Sequence, residues 1–370
     1  MTARIIIIVL LSYTIAAMAQ KESAVGHMYD VSERTTSVIE SDHHLVFRGE
    51  KDKSGYNNHA YLAHHDGRFW AMWSCAPRDG GHPGQEVRFA TSKDGVEWSE
   101  SSVLAQPAEG LYSIARGLWV RNGELLALSA RCRGKTTQTV VEALEVRRWD
   151  ENRGTWVKAG EIGEKLINNF APILTPGGNW LMPYRERELN RVDGVLIGGV
   201  KDVGAWQRVK FPGSKHDRFT EADPVIRADG SIAVHLRDNN NEGFLFRSIS
   251  TDGGKSFTEP VQTNFPDCKS KHYCFKLNNG MYLLINNPES RKTLRASGSA
   301  DGKVFTSTAI LRRNPTKTRN PGHDKSPSFT YPHAIERDGA VYVIYAVNRD
   351  DIAITRVPVR TIKKTLGQSR

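Results

Sequence analysis

Two positions of a recurring strand–turn–strand pattern carry most of the side chains in this chain that could do chemistry. At or next to the start of the first strand lie Asn169, Glu221, Tyr331, His333 and His59. At or just beyond the end of the second strand lie Asp79, His82, Tyr184, Arg185, Arg237 and Arg291. Because adjacent antiparallel strands run in opposite directions, both positions fall on the same rim of a sheet. We therefore expect these side chains to face one pocket.

The arginines of this set indicate an anionic ligand. A guanidinium presents paired donors in a fixed fork that matches a carboxylate, which a lysine cannot imitate. The formal net charge of +10 and the pI near 9.4 also favour anionic partners. No basic run is interleaved with aromatic residues, so nucleic acid is not expected. The expected partner is an acidic oligosaccharide or polysaccharide.

Tight turns position these side chains, and they recur along the chain. Successive turns lie 50 to 59 residues apart, at Asp66-Gly67, Asn122-Gly123, Gly177-Gly178, Asp229-Gly230, Asn279-Gly280 and Asp338-Gly339. Such dipeptides adopt the positive φ that a tight hairpin requires, and each stands between two apolar runs. The sequence therefore predicts six related hairpins.

A second motif follows three of the hairpins, with serine, aspartate, glycine and an aromatic residue at fixed offsets. The copies are Ser92–Trp98, Ser250–Phe257 and Ser299–Phe305. The aspartate can accept hydrogen bonds from backbone amides in the turn, and the aromatic ring can wedge between strands. These turns fall on the rim opposite the candidate pocket, so we interpret them as structural.

Four antiparallel strands at a period near 50 residues are typical of a propeller blade. We predict an all-β fold, a six-bladed β-propeller of four-stranded antiparallel blades, forming a single domain over residues 20–370. The run from His44 to Phe47 is expected to supply the missing strand of the last blade and close the ring. Seven blades, with residues 20–43 contributing to the seventh, is the alternative.

The first 19 residues have the features of a secretory signal peptide. A basic start precedes an apolar block from Ile5 to Ile15, and Ala17-Met18-Ala19 is a small-x-small cleavage site. The apolar block is shorter than the roughly 20 residues of a spanning helix. We expect cleavage after Ala19 and a secreted or periplasmic protein, monomeric and without membrane association.

Neither a disulfide pattern nor a metal-binding pattern is evident from spacing. Cys268 and Cys274 could bridge a loop, while Cys75 and Cys132 are either partners or buried thiols. The adjacent pairs His43-His44 and His64-His65 would alternate faces on a strand, so neither chelates easily. No cofactor and no metal are expected, with a structural calcium in the central channel left open.

The repeat period and the aspartate turns resemble the sialidase (neuraminidase) superfamily, propellers that carry Asp-box (BNR) repeats. The resemblance covers nearly the whole chain after residue 19 and implies a secreted exo-glycosidase acting on a terminal acidic sugar. Glu221, Arg237, Arg291 and Tyr331 follow in the order of the family's glutamate, two arginines and tyrosine. Tyr331 would then be the nucleophile, Glu221 its base, and the two arginines the carboxylate clamp.

The chain departs from that family in its first blade. Sialidases begin this blade with an Arg-Ile-Pro motif, whereas here the strand begins Asn57-Asn58-His59-Ala60. The acid/base aspartate belongs in the following loop, where Asp79 is the nearby candidate and His82 could equally take the role.

Where it departs from the sialidases, the chain resembles secreted propellers that act on uronate polysaccharides, namely the ulvan lyases and the rhamnose-glucuronate lyases and hydrolases. That resemblance implies a polysaccharide lyase or rhamnosidase in which an arginine neutralises the uronate carboxylate and a histidine or tyrosine moves the proton. Its actors would be His59, His82, Tyr184, Arg185, Arg237 and Tyr331. A glycan-binding propeller without catalysis is the third interpretation.

Overall fold

The computed structural model describes residues 26–32, 36–135, 139–186, 191–213 and 219–367. The predicted signal peptide, residues 1–19, lies outside these described ranges. Within them, no helix combines the length and the apolar character needed to cross a bilayer.

The described strands form six antiparallel sheets, as predicted. Blade 1 holds β2 (Tyr56–His65), β3 (Arg68–Ala76), β4 (Glu86–Ser92) and β5 (Ser102–Ala105). Blade 2 holds β6 (Leu111–Arg121), β7 (Glu124–Arg133), β8 (Val140–Asp150) and β9 (Thr155–Glu164). Blade 3 holds β10 (Leu166–Ile167), β11 (Ile173–Leu174), β12 (Trp180–Glu186), β13 (Arg191–Gly198) and β14 (Trp206–Lys210).

Blade 4 holds β15 (Phe219–Ile226), β16 (Ile232–Asp238), β17 (Phe244–Ser250) and β18 (Val261–Pro266). Blade 5 holds β19 (Tyr273–Lys276), β20 (Tyr282–Asn286), β21 (Leu294–Ser299) and β22 (Ser307–Arg312). Blade 6 holds β23 (Phe329–Arg337), β24 (Ala340–Val347), β25 (Asp351–Pro358) and β1 (Asp42–Arg48). A helix, α1 (Val359–Leu366), follows β25.

The ring closes as predicted, because β1 pairs antiparallel with β25 as the outer strand of blade 6. The seven-bladed alternative is wrong. The described residues before β1 form no sheet of their own, and bridges from Tyr29 to Phe305 and from Val38 to Ile310 lay them along the outer edge of blade 5.

Apolar packing between neighbouring blades holds the ring together. Six buried clusters lie one at each blade interface among the described residues. The interface of blades 6 and 1, for example, packs Leu62 and Trp73 against Ile344 and Ile354. Strands near the ring centre are buried on both faces, which explains near-continuous apolar runs such as that of β3.

The three aspartate turns are structural, as interpreted from the sequence. Asp252 accepts hydrogen bonds from the backbone N–H groups of Lys255 and Ser256, both at 3.0 Å. These bonds, with that from the Ser256 hydroxyl, hold the pKa of Asp252 well below its usual range. Phe257 of the same turn is buried between blades 3 and 4.

All four cysteines, Cys75, Cys132, Cys268 and Cys274, are free thiols in this structure. Burial raises the pKa of Cys75 and of Cys268 to about 12, so both are poor nucleophiles near neutral pH.

Candidate active site

A pocket of about 290 Å³ opens on the rim where first strands begin and second strands end. Its lining comes from blades 1, 2, 3, 4 and 6 and includes His59, Gln85, Tyr112, Arg116, Asn169, Arg185, Glu221, Arg237 and Tyr331. The aspartate turns lie at the ends of third strands, on the other rim. Residues from distant parts of the chain therefore meet in one cavity.

Three innermost strands present their side chains to this pocket through the same backbone irregularity. A β-bulge interrupts β2 between Asn58 and Tyr61, and β15 and β23 are interrupted at the corresponding place. His59, Glu221 and Tyr331 occupy these bulges with φ of 54°, 52° and 61°. Positive φ is unfavourable for non-glycine residues and clusters at functional sites, where surrounding structure holds it in place.

Tyr331, Glu221 and Arg237 form a connected triad in the pocket. The Tyr331 hydroxyl donates to Glu221 Oε1 at 2.7 Å, and Arg237 Nη1 donates to Glu221 Oε2. The Glu221 side chain is 9% exposed and that of Arg237 is 11% exposed. A single carboxylate is thus bound to a phenol and a guanidinium in a largely dry site.

The electrostatics of the triad keep Glu221 ionised. Burial alone would raise the pKa of Glu221, but the Arg237 guanidinium and the hydrogen bond from Tyr331 hold that pKa well below its usual range. Burial and the neighbouring carboxylate raise the pKa of Tyr331. The Tyr331 phenol is therefore protonated at neutral pH and donates its proton in a hydrogen bond to the ionised Glu221 carboxylate.

His59 borders the same triad. Its ring packs edge-on against Tyr331 at 4.9 Å between ring centroids, and its Nδ1 lies 3.2 Å from Ser74 Oγ. Burial and then Arg116 lower the pKa of His59 well below its usual range. The imidazole is therefore neutral at physiological pH.

The pocket has an excess of positive charge. Arg116, Arg185 and Arg237 line it, while Glu221 is the carboxylate among the lining residues. Arg116 is 4% exposed, and its Nη1 donates to Asn169 Oδ1 at 3.4 Å. Among the described residues, no hydrogen-bond partner reaches the Arg116 Nε. Arg116 is thus a largely buried cation in the wall of the pocket.

Lys271 lies beneath the pocket, in the loop that enters blade 5. It is 1% exposed, its Nζ donates to the Tyr61 hydroxyl at 3.1 Å, and it stands 5.7 Å from the Tyr331 ring centroid. Burial and then Arg116 lower the pKa of Lys271 to about 7 although Glu221 acts in the opposite direction. This lysine adds to the positive potential under the triad whenever it is protonated.

The structure brings six of the eleven sequence candidates together. Those that line the pocket are Glu221, Tyr331, His59, Arg237, Arg185 and Asn169. His333 lies deeper, where its Nδ1 accepts from the Leu62 backbone N–H at 3.2 Å, and it faces a second cavity at the opposite end of the channel.

The other four candidates lie outside the pocket lining. Asp79 accepts from the backbone N–H of His323 at 2.7 Å, which links its loop to a distant one, and His82 lies in the same loop as Asp79. Tyr184 is buried in the core between blades 2 and 3. Arg291 donates to the Lys269 backbone oxygen at 2.9 Å, so it braces a loop.

Sequence reasoning missed Arg116 and Lys271. Arg116 interrupts an apolar run in β6 and is followed by Gly117, which has a φ of 135° and packs on Ala171. A lone charge beside a glycine inside an apolar strand was the available signal. Lys271 stands in a polar loop, and no feature of its neighbours in sequence distinguishes it.

Comparison with known proteins supports this architecture. A family model described as BNR repeat-like domain matches residues 67–343. No curated protein matches the chain. Among solved structures, a protein of unknown function from Dyadobacter fermentans is 18% identical, with a TM-score of 0.68, and the alignment covers 85% of this chain and 97% of that one.

Two sialidases are also similar in structure. A Hadza microbial sialidase is 13% identical with a TM-score of 0.69, covering 86% of this chain and 68% of its own. Trypanosoma rangeli sialidase is 11% identical with a TM-score of 0.66, covering 88% of this chain, and the alignment spans 60% of the sialidase. At these identities the likeness is one of fold.

Proposed function

The chain belongs to the BNR repeat-like domain family, and from that premise we propose that it is an exported glycosidase that cleaves the bond to a terminal acidic sugar. The observation that carries this proposal is the hydrogen bond from Tyr331 to Glu221 inside a rim pocket with three arginines. The sialidases that share the fold support the same class of reaction.

The charge of the pocket supports an acidic substrate. Three arginines against one carboxylate leave the lining positive, and a sugar carboxylate would relieve that excess. Arg116 and Arg185 line the pocket and are the binding groups in this proposal, while Arg237 holds Glu221. The pocket volume of about 290 Å³ lies near the lower limit for small-molecule sites and favours a single terminal sugar over an internal segment of a polymer.

The triad supplies a nucleophile with its base. As the Tyr331 oxygen forms a bond to the anomeric carbon, its proton passes to Glu221 Oε1, already 2.7 Å away. The bond between that carbon and the leaving oxygen breaks in the same step. Water then attacks the anomeric carbon and loses one proton to solvent, the bond to Tyr331 breaks, and Glu221 returns the first proton to the phenolate; the proton lost to solvent replaces the one that the leaving oxygen took from it. Arg237 holds Glu221 in position throughout.

The leaving oxygen takes its proton from water in this mechanism. Asp79 lies outside the pocket lining and neutral His59 is a poor proton donor. Turnover should therefore depend strongly on the leaving group, and glycosides of acidic phenols should react much faster than alkyl glycosides.

A panel of fluorogenic aryl glycosides tests the proposal. The panel contains a sialoside, an α- and a β-glucuronide, and the neutral glucoside as a control for charge. Release of the aryl group from an acidic glycoside but not from the glucoside supports the proposal. Binding of acidic glycans without any turnover would contradict it and leave a glycan-binding propeller.

A lyase is the second candidate, because His59 lies against Tyr331 in a pocket lined by arginines. Here neutral His59 would remove the proton beside the uronate carboxylate, and the bond to the neighbouring glycosidic oxygen would break as Tyr331 donates its proton to that oxygen. Incubation with uronate-rich polysaccharides decides between the two. Appearance of the ultraviolet absorbance of an unsaturated uronate, without release of a terminal sugar, would replace the glycosidase by the lyase.

A further inference from the structure

A second cluster of titratable side chains lies between blades 4 and 5. Asp223 on β15 and His235 on β16 are paired in register, and His272 immediately precedes β19 of the next blade. One ligand-type atom from each residue lies within 4.8 Å of the others. The three residues are 1%, 0% and 0% exposed, so the cluster belongs to the interior of the propeller.

The polar atoms of this cluster lack the partners that buried groups normally have. Among the described residues, none reaches hydrogen-bond geometry with Asp223 Oδ1 or with any ring nitrogen of His235 and His272. Buried polar atoms are nearly always satisfied, and each exception requires an explanation such as an ion or an ordered water. One ligand-type atom from each residue lies within 4.8 Å of the other two, which indicates a ligand rather than a packing accident.

We propose that Asp223, His235 and His272 bind a zinc ion. Two imidazoles and one carboxylate form a donor set that zinc takes in proteins, whereas calcium and magnesium prefer oxygen donors alone. Zinc holds each ligand at roughly 2.0–2.2 Å, and side-chain atoms within 4.8 Å of one another can reach that distance from one ion by small movements. The sequence concealed the set because its members come from three separate segments.

The surroundings of the cluster provide support for one ligand and a route of entry. The second carboxylate oxygen of Asp223 accepts a hydrogen bond from the Cys274 backbone N–H, which fixes the orientation of the ligand. Glu221, two residues from Asp223, acts on His272 in the direction that favours positive charge, whereas Arg237 and Lys271 act against it. Asp223 also lines the cavity of about 480 Å³ at the opposite end of the channel, which provides an entry path.

In this proposal the ion is structural and a positioning element. It joins blade 4 to blade 5 across their interface and holds both the bulge that presents Glu221 and the loop that carries Lys271. The zinc site does not depend on the reaction proposed above, and metal content tests it without an activity assay.

The test begins with the intact protein, stripped with a chelator under native conditions and reconstituted with excess zinc or cobalt. After gel filtration we expect one equivalent of zinc per chain by elemental analysis. Cobalt should give the visible absorption of a tetrahedral or five-coordinate nitrogen–oxygen site, and zinc at 100 times its Kd should raise the Tm by about 5 °C. Substoichiometric zinc and no Tm shift would overturn the proposal.

Variants identify the ligands. His235→Asn and His272→Gln should each lower the affinity for zinc by at least about 100-fold and change the cobalt spectrum. His43→Gln is the control, because His43 lies on the outer strand β1 and contacts Thr355; it should bind zinc as the unaltered protein does. Zinc retained at full affinity in both cluster variants would refute the assignment. If one variant fails to fold, the cobalt spectrum of the unaltered protein still decides.

Discussion

In the proposed mechanism, the Tyr331 hydroxyl is a useful nucleophile only because of its neighbours. A neutral phenol attacks carbon poorly, and a free phenolate is not accessible at neutral pH, since burial and Glu221 raise the pKa of Tyr331. Glu221 removes the difficulty by accepting the proton within an existing hydrogen bond. The pair, rather than either residue alone, is the functional unit at the scale of single side chains.

Tyr331→Phe should therefore abolish catalysis without disturbing the fold. We expect kcat/KM to fall by at least about 10³-fold, because the nucleophilic oxygen is removed. The matched control is Tyr282→Phe on β20, whose buried hydroxyl has no hydrogen-bond partner among the described residues. That variant should retain activity. Steady-state kinetics on the aryl glycoside make the comparison, and an active Tyr331→Phe enzyme would exclude the tyrosine mechanism.

Arg116→Lys tests the proposed carboxylate clamp. Lysine keeps the charge but loses the planar fork, so we expect KM for an acidic glycoside to rise about 10-fold with a smaller change in kcat. Arg148→Lys, an exposed arginine on β8 with 45% side-chain exposure, is the control and should leave KM unchanged. An unchanged KM in Arg116→Lys would remove this residue from the binding site.

Sequence reasoning could find the triad because strand order places Glu221, Arg237 and Tyr331 on one rim. It missed Arg116, for which the only signal was a lone charge beside a glycine in an apolar strand, and it could not find Lys271, whose direction depends on a loop. The same limit applies to Asp79, the candidate acid, which lies outside the pocket lining and accepts from the backbone N–H of His323 in another loop. Whether a residue lies on this rim follows from the alternating direction of the strands. Whether its side chain lines the pocket depends on local backbone geometry, which the residue type alone does not predict.

The bulges in β2, β15 and β23 are the elements that convert an ordinary blade into a site. Each places two residues opposite one on the neighbouring strand, and the left-handed residue turns its side chain toward the pocket. Nothing in the alternation of apolar residues predicted them, whereas the hairpins and aspartate turns were correctly predicted from glycine and aspartate. Helix α1 was missed because eight residues are too few to show a helical period.

The positive φ of His59 allows the bulge in β2 to be tested by mutation. At a φ of 54°, glycine is favoured over alanine by about 1 kcal/mol, so His59→Gly should be more stable than His59→Ala by that amount. At Ala60, the next residue, φ is not positive, and Ala60→Gly should destabilise by about 1 kcal/mol. Denaturant unfolding measures both differences. Equal stability of His59→Gly and His59→Ala would contradict the bulge geometry.

The loop between blades 4 and 5 contains a carboxyl that should make stability depend on pH. Asp267 is 2% exposed and accepts from the backbone N–H groups of Lys269 and Ser270, at 3.0 and 3.2 Å. Burial raises the pKa of Asp267 to about 6, although these bonds and Arg237 oppose it. The folded state therefore holds this proton more tightly than the unfolded state does, and its contribution to stability is lost as pH rises through about 6.

Asp267→Asn removes that titration. Between about pH 4 and about pH 8 the free energy of unfolding of the unaltered protein should fall by about 2 kcal/mol relative to the variant. Unfolding in guanidinium at both pH values measures the difference. A constant difference between the two proteins across this range would show that Asp267 does not titrate there.

At the scale of the whole molecule, the pairing of β1 with β25 completes the last blade and so closes the ring. The number of blades could be predicted because each tight turn marks one blade. The closing strand could be predicted because the last repeat in the sequence lacks its fourth strand. The path of the residues before β1 could not, since it follows the outer edge of blade 5 through two isolated bridges. The central channel ends in different cavities, one polar and charged, the other largely apolar.

Neighbouring residues of β1 provide a matched test of ring closure. Val46 is 7% exposed and packs in the core between blades 6 and 1, whereas Leu45 is 49% exposed. Val46→Asp should destabilise the protein by about 3 kcal/mol, because it buries an unpaired charge. Leu45→Asp should leave Tm nearly unchanged. Calorimetry of both variants makes the comparison, and equal Tm values would contradict the role of β1 in closure.

Because β1 pairs with the last strand of the chain, the ring can close only after the last blade has been synthesised. The strand leaves the ribosome early, yet Asp42 finds its partner only at Arg356. At ordinary rates of synthesis that interval is on the order of half a minute, during which β1 and the growing edge of the ring are both unpaired. The first strand of the ring therefore stays unpaired until the last blade has been made, and a chaperone has that interval in which to act.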